Sequence, residues 1–496
     1  MCKAKPQNFT RLVLALATLL VSMASVAGST RIALPDMGAS SDTILSRKEE
    51  EDYARAMVRQ MRAYDVLNED PLINAYFQDM GYRLVAHSDR TNKPFTFVVI
   101  NLPVVNAFAA PGGVVALYSG LILTADDEHE VAGVLAHEVA HITQQHLYRA
   151  IESQKAMTIP LALAMVGLVL AGGGSGEAIQ GALLGGQAAA MQAQIYFTRQ
   201  NEVEADRIGI QTLSQAGYDP RGMGEFFEKM SRLTRSAGAG PAEFLRTHPV
   251  NTSRIAEAQN RAQNMPLPEA TSGKDFYLVQ ARLRAMSEEY VDTALKFFEH
   301  RRSRADLGPA EQDALDYGTA IALQRKGQLD EARKILLSLM DRDQHLAYEI
   351  QLANLEVESG QVEDAVQRLG DLYHSFPGNH AISMEYSAAL LRNGDKARAD
   401  TASVILRQQA LKHPTDPNLY ALYARASNTA GDMVRAQEAI AESYYLRGGS
   451  QEAVVQLQRL SQSDDLNYYE RARVAARLNE IQIELAKQGL EEPPPR

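Results

Sequence analysis

The 496-residue sequence predicts a mainly α-helical chain in two parts: an α+β unit with a small sheet, then an α-solenoid. Three observations lead there. Apolar residues recur at spacings of three and four over much of the chain, as in helices packed by one face. Two short runs between residues 95 and 118, rich in β-branched and aromatic residues, break that period and read as strands. Beyond residue 276 a glycine–alanine pattern returns about every 34 residues, the period of stacked helix pairs. A chain of this length also exceeds what one compact core organises.

The N-terminus reads as a targeting signal. Lys3, Lys5 and Arg11 precede the apolar run Leu12 to Val21, and Ser25-Val26-Ala27 offers small residues for cleavage. A permanent anchor is the alternative, but the run is short for a bilayer. Residues 1–27 are therefore read as a signal peptide. Its loss would remove Cys2, the single cysteine, so the mature chain would hold no disulfide. The formal charge of −11 would become about −14, since the segment carries three cations and no acid. So acidic a chain suits phosphate backbones poorly, which argues against a nucleic-acid partner.

After a turn-rich stretch at 34–42, the periodicity predicts helices over 46–67 and 71–88. Phe95 to Ile100 and Val114 to Tyr118 are the predicted strands, expected to pair as a small antiparallel sheet. Helices resume near Thr124, with Asp126, Asp127 and Glu128 placed to favour a helix N-terminus. Residues 131–142 are apolar except for His137, Glu138 and His141, a pattern of a buried helix whose polar groups need a ligand or a network. The apolar segment 156–171 is short and holds Pro160. It reads as a buried or surface-lying helix, with peripheral membrane contact as the alternative. A further helix covers 192–215 and stops at Gly217. Residues 264–275 have linker composition. The domains are thus expected at 28–263 and 276–490.

In the second part, Gly327, Gly360, Gly394 and Gly431 are each followed five residues later by alanine, at 332, 365, 399 and 436. This spacing resembles the tetratricopeptide repeat. In that reading the glycine sits at the close crossing of two helices and the alanine lets the second pack tightly. Tyr317 and Glu331 suit the same repeat; Glu289 and Ala294 hold its positions one repeat earlier, without the glycine. Gly448 and Ala453 repeat the offset early, so an irregular cap is expected to end the array.

The chemistry is carried by His137-Glu138-Val139-Ala140-His141. Two histidines four residues apart share one helix face and can reach one zinc. Glu138 lies beside the metal without occupying a ligand position, where it can take a proton from a water that the metal acidifies. Downstream, Glu202 and Asp206 are again four apart. Glu202 suits a third ligand, and Asp206 can accept the outer proton of a ligating histidine. The plain alternative for such a pair is a solvated acidic face, the reading given to Glu204. His146, five residues after His141, is about 140° round the helix and is expected to face elsewhere. His129 and the remaining histidines lack metal-ligand spacing.

His137-Glu-Val-Ala-His141, Asn201-Glu-Val-Glu-Ala-Asp206 and Thr247-His-Pro-x-x-x-x-Arg254 together resemble the peptidase M48 family of gluzincin metalloproteases. The resemblance implies a gluzincin-type α+β fold in the first part and one Zn2+ per chain held by His137, His141 and Glu202. Glu138 would be the general base. It further implies that His248 lies over the metal as a fourth ligand that keeps the enzyme latent; on residues alone it is a loop histidine before a proline. Arg254 would steady a carboxylate or the developing oxyanion, a surface salt bridge being the plain alternative. Asn106, Ala107, Phe108 and Ala109 resemble the edge strand on which a substrate chain pairs. The resemblance implies a periplasmic enzyme that cleaves stalled or unfolded outer-membrane proteins, with the outer-membrane protein assembly machinery recruited through the repeats. Two other functions stay open: a repeat-based periplasmic chaperone or scaffold with a latent or inactive metal site, and a protease embedded in the membrane through 156–171. An intact Glu138 speaks against the scaffold, since a structural metal site has no use for a base.

Overall fold

The computed structural model describes residues 46–89, 94–153, 199–237, 243–268, 273–304 and 307–487. The leader reading of 1–27 and the apolar segment 156–171 lie outside them. Among the described residues no helix is long and apolar enough to cross a membrane.

Helix α1 (Arg47–Ala63) starts at Ser46, whose hydroxyl accepts the Glu49 N–H while Glu49 accepts the Ser46 N–H, so both end groups are satisfied. Helix α2 (Pro71–Ala86) is capped by Asp70 and has proline in its first turn, where no N–H is needed. Three strands follow: β1 (Thr96–Ile100), β2 (Ala107–Ala110) and β3 (Val114–Tyr118). Their order is β1-β3-β2.

The expected antiparallel pairing of the first and last strands is wrong: β1 runs parallel to β3. The chain reverses twice between them, because residues 107–110 form the extra strand β2, antiparallel to β3. The turn joining β2 to β3 needs the left-handed Gly112 and Gly113. Side chains alternate across the sheet. Phe97, Val99, Val115 and Leu117 join the core under α2, whereas Ile100, Val114, Ala116 and Tyr118 pack with Ala54, Met57 and Met61 of α1. Burial on both faces explains why β3 is an unbroken apolar run.

The first unit continues with α3 (Ser119–Thr124), α4 (Glu128–Thr143), α5 (His146–Ser153), α6 (Arg199–Gln215), α7 (Gly222–Ala237), α8 (Glu243–Thr247) and α9 (Thr252–Ala262). Helices α2, α6 and α7 and strand β2 all pack on α4, which is why its residues 131–142 are apolar apart from His137, Glu138 and His141.

Successive pairs then stack: α10 (Lys274–Ser287) with α11 (Val291–Arg302), α12 (Pro309–Arg325) with α13 (Leu329–Arg342), and α14 (Leu346–Glu358) with α15 (Val362–Ser375). They are followed by α16 (His380–Leu390) with α17 (Lys396–Lys412), then α18 (Pro417–Ala430) with α19 (Met433–Leu446). Helices α20 (Ser450–Ser461) and α21 (Tyr468–Lys487) end the array. The molecule is thus mainly α, an α+β unit with a small sheet followed by an α-solenoid.

The repeated alanines are buried between helices, as expected. The repeated glycines have a different role from the one expected. Gly327, Gly360, Gly394 and Gly431 occupy the turns between helices at φ of 80, 80, 69 and 91°, and a Cβ there would meet nothing within 4 Å. Backbone handedness, not crowding, selects glycine at these four turns.

The two parts are not hung on a free linker. Phe276, Val279 and Leu283 of α10 enter the core of the first unit, while Leu278, Ala281 and Ala285 of the same helix enter the first repeat core. Farther along, Arg282 joins Asp70 at the start of α2 (2.7 Å) to Gln351 (2.8 Å) and the Tyr317 hydroxyl (3.2 Å). At the far end, Arg59 of α1 contacts Tyr445 and Glu484, and a Cβ on Gly448 would lie 2.8 Å from Ala63 Cβ. The array therefore returns to the unit it started from.

Candidate active site

Helix α4 begins at Asp127, whose carboxylate accepts the Glu130 N–H (3.0 Å), a cap contributing about 1 kcal/mol. His137 and His141, one turn apart, are both buried, with Nε2 atoms 2.9 Å from each other. Helix α6 lies so close to α4 that a Cβ on Gly209 would sit 3.1 Å from the His137 nitrogen. That approach brings Glu202 to the histidines: Oε2 is 3.5 Å from His137 Nε2, and Oε1 is 3.5 Å from His141 Nε2. His248 follows α8, with its N–H bonded to the Phe244 carbonyl (2.7 Å) and its ring stacked on the Phe244 ring. Its Nδ1 is 3.3 Å from His137 Nε2 and 3.3 Å from each Glu202 oxygen.

These four buried residues are the one group among the described residues able to hold a metal ion, their ligand atoms all lying within 4.8 Å of one another. The donor set fits zinc. Ligands about 2.1 Å from a tetrahedral ion stand roughly 3.4 Å apart, and five of the six pairs here stand 2.9 to 3.5 Å apart.

Carboxylates and an arginine hold this set from behind. Asp206, one turn beyond Glu202, places Oδ1 3.0 Å from His137 Nδ1. Arg254, in the first turn of α9, donates to both Asp206 oxygens (2.7 and 2.8 Å). Its Nη1 reaches Glu202 Oε2 and the Pro249 carbonyl, each at 2.8 Å. Of the roles expected of Arg254, the geometry matches the steadying of carboxylates, because every nitrogen is turned to these acceptors. Burial pushes Glu202 and Asp206 upward, but the facing His248 and His137 outweigh it at Glu202, and hydrogen bonds from His137 and Arg254 outweigh it at Asp206, so both are held low. Burial opposes protonation of His137 too, yet its bonds to Asp206 and Glu202 lift it to about 9. Metal uptake would displace that proton. Burial and the His137 charge hold His141 far below the ordinary range, so its ring is neutral.

Glu138 is fully buried, beside the backbone of Ala109 on β2, with Oε1 3.3 Å from His248 Nε2. Burial raises its pKa and so strengthens it as a base. Strand β2 is one of the two edge strands of the sheet. Asn106, at its entrance, accepts the Ala107 N–H (2.9 Å) and the Thr247 hydroxyl (3.4 Å), tying the strand to the residue before His248. Phe108 and Ala109 are half-buried at this edge.

Two expectations fail. His146 does not face elsewhere: its Nδ1 is 2.8 Å from His141 Nδ1. The 140° estimate assumed an unbroken helix. Helix α4 instead ends at Thr143, and Gln145 (φ 56°) turns the chain back so that α5 starts beside His141. Glu204, though partly exposed, is likewise more than a solvated surface acid, since it meets His146 Nε2 at 3.2 Å and Arg149 Nη2 at 2.7 Å. The sequence carries no helix-breaking glycine or proline at 143–146, so only the nearness of a third histidine to the motif pointed to it. His129 lies apart, taking the Asp219 N–H at 3.4 Å.

Comparison with known proteins agrees with this geometry. The model of peptidase family M48 matches residues 53–262. The chain is 34% identical over 449 residues to the beta-barrel assembly-enhancing protease of Escherichia coli (strain K12), covering 90% of this chain and 91% of that protein. It is 32% identical over 478 residues to a putative beta-barrel assembly-enhancing protease of Vibrio cholerae, covering 96% and 97%. The mitochondrial metalloendopeptidase OMA1 of Schizosaccharomyces pombe matches over 188 residues at 32% identity, 38% of this chain and 51% of that protein.

Proposed function

The chain belongs to peptidase family M48, and from that premise we propose that it is a zinc-dependent endopeptidase of the periplasm that acts on outer-membrane proteins during their assembly. The observation that carries this reading is Glu138: a buried carboxylate set just outside a three-histidine, one-glutamate cluster. A metal kept only for structure needs no such base. His137, His141 and Glu202 would hold one zinc, which when bound supplies a Lewis acid and acidifies a water. Glu138 takes a proton from the attacking water and passes it to the leaving amide nitrogen. Asp206 fixes the His137 ring, and Arg254 holds Asp206 and Glu202. A substrate in extended form adds to the free edge of β2, an interaction that reads backbone and not sequence. A small cleft of about 20 Å3 lies beside His141, lined by Ala109, Pro111, Gln145 and Tyr148.

Periplasmic location rests on the leader reading of 1–27 and, with the outer-membrane substrates and assembly machinery, on the likeness to the beta-barrel assembly-enhancing proteases. The solenoid suits the recruiting of such partners.

The test is zinc content. Purified mature protein is expected to hold one zinc per chain, and His137→Ala to lose it while staying folded. A folded wild type that binds no supplied zinc would favour the scaffold reading.

His248 carries the latency reading. Its Nδ1, turned to Glu202, would fill the fourth ligand position, and its Nε2 faces the base. His248→Ala is expected to retain zinc through three ligands, which suffice in catalytic sites. Its cleavage of an unfolded model substrate should rise at least about tenfold, the effect of freeing a general base. An unchanged or lower rate would exclude the latch.

A further inference from the structure

We propose that His146 and Glu204 form a positioning relay for His141, one that holds it in the single tautomer able to bind the metal. The inference rests on the reading of His141 as a ligand and extends it to two residues outside the ligand set. His141 turns Nε2 to the cluster and Nδ1 to His146. To offer an Nε2 lone pair, its ring proton must sit on Nδ1. The acceptor facing that proton is His146 Nδ1, at 2.8 Å. His146 must then carry its own proton on Nε2, and there it meets Glu204 Oε2 at 3.2 Å. Arg149 Nη2, donating to the same oxygen at 2.7 Å, anchors the end of the chain.

Every proton in this series has one place. Were the first bond reversed, with His146 donating, the proton of a neutral His141 would sit on Nε2, and the ring could not bind. Glu204 opposes that reversal, since an ionised carboxylate accepts and cannot donate. His137 is served differently, by one direct step to Asp206 with Arg254 behind it. The two ligating histidines thus have separate supports, drawn from opposite ends of one acidic segment of α6, Glu204 and Asp206.

The test is zinc affinity of the full mature chain, measured by competition with a chromophoric chelator. His146→Leu keeps bulk but removes the acceptor, and should weaken zinc binding about 10- to 100-fold, as loss of an outer partner does. His146→Gln can again accept from His141 Nδ1 and should recover most of that loss, which a merely structural role would not predict. Glu204→Gln, partly exposed and safe for folding, should weaken binding by a smaller factor. Affinities of folded His146→Leu and Glu204→Gln within about twofold of wild type would overturn the relay, being below the outer-partner range. If His146→Leu does not fold, unchanged affinity in Glu204→Gln overturns it alone. A wild type that binds no zinc would instead overturn the metal reading itself, and the relay with it.

Discussion

Glu138→Gln, made in a His248→Ala background, is expected to lower cleavage by about 10²- to 10⁴-fold while leaving one zinc per chain. The amide keeps the shape of the carboxylate and cannot take a proton. Glu138 is not in the ligand cluster, so the metal has no reason to leave. The background matters because His248 Nε2 lies 3.3 Å from Glu138 Oε1; with the latch in place, a slow wild type would hide the loss. Rates on an unfolded substrate and metal analysis of the same preparation decide the matter. Cleavage within tenfold of the parent would remove Glu138 from the role of base. Loss of zinc would make it a ligand.

The second large effect is expected in stability. Arg254→Leu removes the guanidinium that the buried Glu202 and Asp206 share, leaving His137 as the other charge that faces both in the metal-free chain. Breaking a buried pair of this kind costs about 3–5 kcal/mol. The loss should show in urea unfolding and should be larger after treatment with a chelator, because bound zinc still answers the charge on Glu202. Arg254→Lys should fall between, since an ammonium cannot donate in the paired fashion seen at Asp206. A deficit below about 1 kcal/mol in the chelated protein would mean that the pair is held for another reason, as surface pairs are.

Much of this site was legible in the residues because its parts are local. His137 and His141 need only the helical period, and Glu202 with Asp206 need it again. The facing of α6 on α4 was not legible: it depends on Gly209 meeting the turn of His137. His146 and Glu204 were misread because the helical period was carried past Gln145, where a left-handed residue resets it without glycine or proline as a signal. Strand direction failed for a similar reason. The alternation of Phe95 to Ile100 and Val114 to Tyr118 fixes which faces are buried but not which way the strands run, and the short β2 between them sets the polarity. The repeat period was plain, since it is a property of spacing. Its glycines were misassigned because a sequence does not distinguish a residue chosen for lack of bulk from one chosen for backbone handedness.

The return of the solenoid to α1 has a consequence for how the chain can vary. In an open array each repeat touches only its neighbours, and one more or one fewer merely lengthens or shortens the stack. Here the stack is a closed loop with a fixed circumference: it leaves the first unit through α10 and must arrive with Gly448 against Ala63 and Glu484 against Arg59. A chain with one helix pair excised would have to give up either its stacking or its closure. Repeat number in this molecule is thus a term of the tertiary structure, counted by the frame that the array encircles.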